Sequence, residues 1–357
     1  MMSPSIVSAA QLHLMFGRLN TLDDRSVVAL SQSYGYKDDV AVTIAKAYRS
    51  LVSEVPPVTP LTARPVKRLG IVGASSVPTA LWPYLLLADC LDIPVKIKIP
   101  ARDISSIHLL QDIIRRTSDT TQIAKRCDVE TRLDVSIQAG DVLLDGGFWD
   151  ECDRILVFGS DATLALYRKR FPEPGMVIGF GHTESILVLD SEQARTDDRW
   201  MADLSAFGHR GCLAPHLVIP CDQVQSPDLA PLMLSRLNEK VEPDIERAIS
   251  LRNRFHDLMV HGESACLSAD GMWLASHAES ITLGTIPGQL QIAEPSLVMN
   301  TACNIGALSL PESLWASSSD LDLIQARATW KCRWGSAQFP TLNWCNSGVP
   351  ILTTITQ

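Results

Sequence analysis

The stretch Leu69–Asp103, "LGIVGASSVPTALWPYLLLADCLDIPVKIKIPARD", decides the architecture. It opens on a short apolar run, breaks at the small-residue cluster "GASS", continues through an apolar segment of helical length and returns to a second β-rich run, "PVKIKIP". Gly70 to Ala88 carries no charge over 19 residues, enough to suggest a membrane span. Pro78, Pro83 and the "GASS" cluster punctuate it, so it reads as a buried strand, a turn and an apolar helix.

The same rhythm continues downstream through "SIHLLQDIIRRTS", "DVLLDGG", "RILVFG", "DATLALYRKRF", "GMVIGFG" and "SILVLD". Strands alternating with helices predict an α/β fold with an open, largely parallel sheet whose carboxyl ends form the ligand crevice. Upstream, residues 22 to 54 hold two helical patterns, "LDDRSVVALSQSYGY" and "DDVAVTIAKAYRSLV", followed by the proline-rich linker "VPPVTPLTARP". Downstream of residue 205 come the loop "GHRGCLAP", the strand "HLVIP", a helical segment interrupted at Pro243 and a β-rich tail. The division expected is a helical segment over 1–59, a nucleotide-binding domain over 60–205 and a catalytic domain with a C-terminal tail over 206–357. No internal repeat or low-complexity tract is present.

Composition narrows the function. The 357 residues suffice for two domains. The net charge of -9, without long runs of one sign, offers no footprint for nucleic acid or an anionic membrane. Nine cysteines, an odd number with no C-x-x-C pair, argue against a disulfide framework or a structural metal and for a reducing cytoplasm. The first twenty residues lack the charged region of a secretory signal.

Several positions are candidates for chemistry. The turns "IVGASSVP" and "LVFGSDAT" each join a strand to a helix, an arrangement whose open N–H groups suit a phosphate. Gly73, Pro78, Gly159 and Ser160 are the candidates there; plain strand-to-helix packing is the alternative. Lys98 and Arg102 follow another strand and suit phosphate or ribose oxygens, or are simply solvated charges. Cys212 differs from the other cysteines because Gly211 precedes it and Arg210 and His209 flank it. Neighbouring cations favour a thiolate over a thiol of pKa about 8.5, which makes Cys212 a nucleophile candidate. His182, in "GFGHTES", follows a strand, whereas His216 opens an apolar strand and reads as structural.

Taken in order, "GASSVP", "KIPARD", "FGSD", "GHTES" and "GCLAP" resemble the acyl-CoA reductase family of the bioluminescence fatty-acid reductase type, a branch of the aldehyde dehydrogenase superfamily. The tail "CRWGSAQFPTLNWCNSGVPIL" is similar to that family's ending. The resemblance runs from Leu69 to the C-terminus. It implies an aldehyde-dehydrogenase-like fold, with a Rossmann-type nucleotide domain and an α/β catalytic domain. It implies reduction of an acyl-CoA or acyl-carrier-protein thioester to an aldehyde through an acyl-Cys212 intermediate, with hydride from a nicotinamide cofactor. Arg102, as a partner for a 2′-phosphate, inclines the expectation to NADPH, with NADH the alternative. His182 becomes a proton donor or acceptor, and Ser76 stands where the superfamily places an oxyanion-binding asparagine. Phe180 stands where hydrolytic relatives carry a water-activating glutamate, which favours reduction or thiol transfer over release of free acid. The superfamily further implies a homodimer or tetramer. Two other functions fit the same residues: a CoA-acylating aldehyde dehydrogenase working oxidatively, and a degenerate paralogue that only binds a partner.

Overall fold

The computed structural model describes residues 16–54, 66–73, 77–91, 93–100, 103–118, 135–138, 146–189, 192–221, 229–238, 240–282, 286–301, 304–315, 321–346 and 349–355. Two compact units are present, one formed by Met1–Gly181 with Phe339–Gln357 and the other by His182–Gln338.

In the first unit, strands β1 (Leu69–Val72), β2 (Val95–Lys98), β3 (Val135–Gln138), β4 (Arg154–Phe158) and β5 (Val177–Phe180) form one sheet in the order β3-β2-β1-β4-β5. Every pairing in it is parallel. All four residues of β1 are buried, the burial expected of a parallel strand covered on both faces. Gly70 is small for a packing reason: a Cβ there would lie 2.9 Å from the Trp149 ring. The charge-free stretch resolves into β1, a turn and the fully buried helix Trp82–Cys90. Among the described residues no helix is long and apolar enough to cross a membrane.

The strand order reverses between β1 and β4, which lie side by side although their chain connections run to opposite sides. In open α/β sheets this switch point is where ligand crevices form, outside the strands' carboxyl ends. The two expected N-terminal helices are Asp24–Ser33 and Asp38–Ser53, and Tyr34 ties them to the sheet-covering helix Ile104–Ser118 by donating to Asp112 (2.5 Å). The expected strand "DVLLDGG" falls largely on residues 141–145, outside the described residues; the edge strand among the described residues is Val135–Gln138.

The second unit holds a sheet ordered β12-β11-β6-β7-β10-β9-β8: β6 (Glu184–Leu189), β7 (Pro215–Pro220), β8 (Ala265–Leu267), β9 (Leu274–His277), β10 (Gln289–Ile292), β11 (Ile305–Leu310) and β12 (Ala328–Arg333). All of its pairings are parallel except β8 with β9. Each residue of β6 and β11 is buried, with apolar clusters around Trp200 and Trp273 on one side and around Val188 and Leu308 on the other.

One unit ends at Gly181 and the other begins at His182. The physical reason is pairing: "SILVLD" supplies β6, which lies between β7 and β11 in the second sheet. The tail also divides. Residues beyond Gln338 rejoin the first unit, where Asn346 donates to the Tyr84 hydroxyl (2.8 Å) and Arg154 donates to the Thr354 carbonyl (3.1 Å).

A buried carboxylate organises the end of the second unit. Asp203 accepts from the Ser309 hydroxyl (2.6 Å), Gly335 N–H (2.9 Å) and Ala337 N–H (2.7 Å). Gln338 completes the tie by donating to the backbone carbonyls of Asp203 (2.8 Å) and Ala206 (3.0 Å). Burial pushes the Asp203 carboxyl up to about 6, against the hydrogen bonds, which favour its charged form.

Asp203→Ala would strand two buried donors and the part-buried Gly335 N–H, so an expected loss of about 3 to 5 kcal/mol in urea unfolding follows. The pH dependence has a definite sign. A carboxyl whose pKa is about 6 folded and 3.8 in its ordinary state favours folding when protonated. Its stabilising contribution is therefore complete below pH 3.8 and is lost as pH rises through about 6. The stability difference between parent and variant should shrink across that window; a constant or growing difference would contradict the assignment.

Candidate active site

In the first unit, four of the candidate positions collect at the carboxyl ends of neighbouring strands. Gly73 follows β1, Lys98 ends β2, and Gly159 and Ser160 follow β4, with β2, β1 and β4 adjacent in that order. Gly73 donates its N–H to the Lys98 carbonyl (2.9 Å), and a Cβ on it would lie 2.6 Å from Ile99 and 2.8 Å from Leu81. Only glycine fits this turn. Ser160 caps the helix Asp161–Arg170 by accepting from Thr163 N–H (3.3 Å). Pro78 lies in the turn ahead of the helix Trp82–Cys90, its carbonyl accepting from Ser106, whose hydroxyl in turn accepts from the Trp82 indole (3.0 Å). Pro78 thus anchors a helix. Ser76 and Arg102 lie outside the described residues. Phe180, ending β5, stacks on Phe158 with ring centroids 4.6 Å apart, so at that position the chain supplies core packing and no carboxylate.

In the second unit, Cys212 stands on the loop between helix Arg199–Ser205 and β7 and is exposed to solvent. The segment entering β6 holds the cysteine at both ends. Thr183 hydrogen-bonds the thiol, and Ser185 donates to the Cys212 carbonyl (2.7 Å) while accepting from Ala307 N–H (2.8 Å). Gly306 faces the same cluster. A Cβ there would lie 3.0 Å from Ser185 Oγ, 3.1 Å from the Cys212 carbonyl oxygen and 3.2 Å from Thr183 Oγ1, so the close approach favours glycine.

The backbone ahead of the cysteine is unusual. Phe207, Gly208, His209 and Gly211 all have positive φ, and among the described residues Phe207 (φ 51°) and His209 (φ 58°) are the only non-glycine positions that do. Left-handed backbone costs an ordinary residue about 1 to 2 kcal/mol, so other bonds must hold it. Arg247 donates to the Gly208 carbonyl (2.9 Å) and to the Met272 carbonyl (3.0 Å), and its guanidinium stacks 5.0 Å from the Trp273 ring centre.

His209 is fully buried. Its Nδ1 accepts from Gly288 N–H (2.7 Å), which puts the ring proton on Nε2, where it is donated to the Pro215 carbonyl (2.8 Å). Burial, reinforced by His216 and Arg247, holds its pKa well below the ordinary histidine range. His209 is therefore neutral. Arg210 turns to Asp244 (3.5 Å), which caps the helix Ile245–Val260. The expected lowering of the thiol pKa by these two neighbours is thus corrected. Although the residue reaches solvent, the packing around its thiol desolvates the sulfur and raises the Cys212 pKa above its ordinary value, and the Thr183 hydrogen bond opposes the rise.

His182 has a partner that its sequence position alone did not disclose. Its Nε2 lies 2.5 Å from Oε1 of Glu184, a side chain only 1% exposed, while the imidazole is 44% exposed. The period of two in extended chain places His182 and Glu184 on one side and Thr183 and Ser185 on the other. Glu184 also favours protonation of His216, whose pKa burial otherwise lowers. The sequence signal was a lone carboxylate heading the otherwise uncharged run "ESILVL". Thr183, Ser185 and Gly306 gave no such signal, since hydroxyls and glycines are common.

Residues 103–246 match the family "Acyl-CoA reductase (LuxC)". No curated protein sequence matches the chain. Among solved structures, the fold is similar to a succinate-semialdehyde dehydrogenase from Burkholderia pseudomallei (TM-score 0.67, 10% identity, covering 99% of this chain and 85% of that one). It is also similar to the P. syringae indole-3-acetaldehyde dehydrogenase AldA, a mutant in complex with NAD+ and IAA (TM-score 0.66, 12% identity, covering 100% and 83%). A third similar structure is an oxidoreductase from Marinobacter aquaeolei (TM-score 0.65, 11% identity, covering 100% and 86%). The chain thus has the fold of the aldehyde dehydrogenases, and its residues 103–246 match the acyl-CoA reductase (LuxC) family.

Proposed function

We propose that the protein reduces an acyl thioester, carried by CoA or by an acyl-carrier protein, to an aldehyde, with Cys212 as the nucleophile. The observation that carries this reading is the cysteine itself: it is exposed, its carbonyl and thiol are both held, and the loop bearing it falls within the acyl-CoA reductase match.

In this mechanism the Cys212 sulfur loses its proton and bonds to the thioester carbonyl carbon, and the departing thiol takes up a proton. Dividing a difficult reduction into acyl transfer and acyl reduction lowers each barrier. A nicotinamide cofactor would supply a hydride to the acyl carbon; the thiohemiacetal so formed on Cys212 would release the aldehyde, and one proton taken from solvent would restore the thiol. Gly73, Lys98, Gly159 and Ser160, gathered at the switch point of the first sheet, are the residues to hold the cofactor, because small turns at strand ends let backbone N–H groups approach phosphates. Arg102 and Ser76 keep the roles that the resemblance implies, 2′-phosphate recognition favouring NADPH over NADH and oxyanion donation. The Glu184 carboxylate beside Nε2 orients the imidazole, which suits His182 for moving the proton between the two thiols. The absence of a carboxylate at Phe180 favours hydride transfer over attack by water.

Incubation with acyl-CoA in the absence of reduced cofactor should add one acyl mass to the peptide containing Cys212, and Cys212→Ala should abolish the adduct while leaving NADPH binding intact. An adduct elsewhere, or aldehyde made by the variant, would remove the proposal. Because the thiol pKa is raised, the thiolate fraction at neutral pH is small and grows about tenfold per pH unit. Alkylation of Cys212 by iodoacetamide should therefore accelerate steadily from pH 7 to 9, and a plateau in that range would contradict the raised value. Glu184→Gln replaces the carboxylate facing His182 and should lower turnover by about 100-fold, the low end of the roughly 100 to 10,000-fold typical of a general acid–base contribution, with a smaller effect on KM. Unchanged turnover would return the pair to a structural role.

A further inference from the structure

We propose that His209 is a positioning residue for the nucleophile: its neutral imidazole pegs the left-handed turn Phe207–Gly211 between β7 and the Gly288 turn, and so sets the direction in which Cys212 is presented. The proposal rests on the reading of Cys212 as the nucleophile and goes beyond it by assigning what aims the residue.

Three independent features meet at this side chain. The first is backbone geometry. Both non-glycine residues with positive φ among the described residues lie within five positions of Cys212, and His209 is one of them. The second is hydrogen bonding. The two ring nitrogens connect segments remote in sequence, with Gly288 N–H donating to Nδ1 (2.7 Å) and Nε2–H donating to the Pro215 carbonyl (2.8 Å), so one imidazole fixes the loop on both sides of Cys212.

The third feature is the space around Gly288. Its φ is 91°, and a Cβ there would lie 2.4 Å from the Met272 carbonyl oxygen and 2.5 Å from Arg247. Arg247 in turn holds the Gly208 carbonyl (2.9 Å), so the Gly288 turn, the guanidinium and the imidazole form one closed set of contacts around the left-handed residues.

The charges facing the ring keep it in the form that the bonds require. His216 from β7 has its ring centre 4.3 Å away, Arg247 approaches from the helix Ile245–Val260, and the uncharged Trp273 ring lies 5.1 Å away. A proton added at Nδ1 would confront Gly288 N–H as well as the Arg247 guanidinium. Both arguments require the neutral tautomer with hydrogen on Nε2.

Positioning differs from bulk stability in what it affects. Acyl transfer needs the sulfur aligned with the carbonyl and its oxyanion donors, whereas alkylation by a small reagent needs only an accessible thiolate. The test uses the full chain, with folding verified by circular dichroism and the Cys212 peptide followed by mass spectrometry. Acylation by acyl-CoA and by p-nitrophenyl acetate is compared with alkylation by iodoacetamide for the parent protein, His209→Ala, His209→Asn and His209→Gln.

Asparagine tolerates the left-handed conformation and offers an oxygen to Gly288 N–H. Alanine offers nothing, and glutamine is too long to place its oxygen there. Misplacement of a reacting group costs up to about a hundredfold, so the expected result is a fall of at least about tenfold in the acylation-to-alkylation ratio for His209→Ala and His209→Gln, with His209→Asn within about threefold of the parent. Should His209→Ala fail to fold, the contrast between Asn and Gln carries the same test. Equal ratios in all folded variants, or an Asn variant as impaired as Gln, would overturn the proposal. Acylation of the parent by the nitrophenyl ester without acylation by acyl-CoA would count against the thioester reading alone and leave the positioning test readable.

Discussion

The left-handed backbone ahead of Cys212 is the constraint on which the second unit's local structure depends. Two ordinary residues held at positive φ cost about 1 to 2 kcal/mol each. Against that stand the buried bonds of His209, the Arg247 bond to Gly208 and the Gln338 bond to Ala206. A buried hydrogen bond contributes about 1 kcal/mol net, but leaving its partner unsatisfied costs about 1 to 3 kcal/mol. The set therefore offsets the strain with a margin, provided that none of its members is lost. This explains why polar groups gather here in an otherwise apolar sheet, and why glycine occupies 288, where a side chain would collide with the Met272 carbonyl and Arg247.

The first unit solves a different problem. A parallel sheet buried on both faces needs helices packed closely against it, and the close packing shows at Gly70 and Gly73, where added carbon atoms would meet Trp149, Ile99 and Leu81. With β1 beside β4 at the point where the order reverses, the carboxyl ends of β2, β1 and β4 bring Lys98, Gly73, Gly159 and Ser160 into one row. Sequence separation is removed by topology, and four residues spread over more than sixty positions share one edge.

Much of this was legible in the sequence because its signals are local and periodic. The strand–turn–helix rhythm from Leu69, the break at Pro243 and the helical N-terminal pair all appear where periodicity places them. The membership of "SILVLD" in the second sheet was not legible, since it reads as another strand of the running alternation and only its pairing with β7 and β11 assigns it there. Arg210 and His209 misled for an electrostatic reason. Adjacency to cysteine suggested cations at the thiol, but Arg210 points to Asp244 and burial keeps His209 neutral. The pairing of His182 with Glu184 was hidden more lightly: period-two spacing places them on one side, yet only burial of the carboxylate gives the spacing meaning.

The central claim concerns the fate of an acyl group on Cys212. The most direct measurement isolates the acyl-enzyme, removes excess thioester and mixes the complex with NADPH in a single turnover while aldehyde, free acid and oxidised cofactor are counted. The account predicts aldehyde equal to the acyl group lost and to the cofactor oxidised, with hydrolysis to acid slow when cofactor is withheld. Rapid release of free acid, or loss of the acyl group without cofactor oxidation, would contradict it.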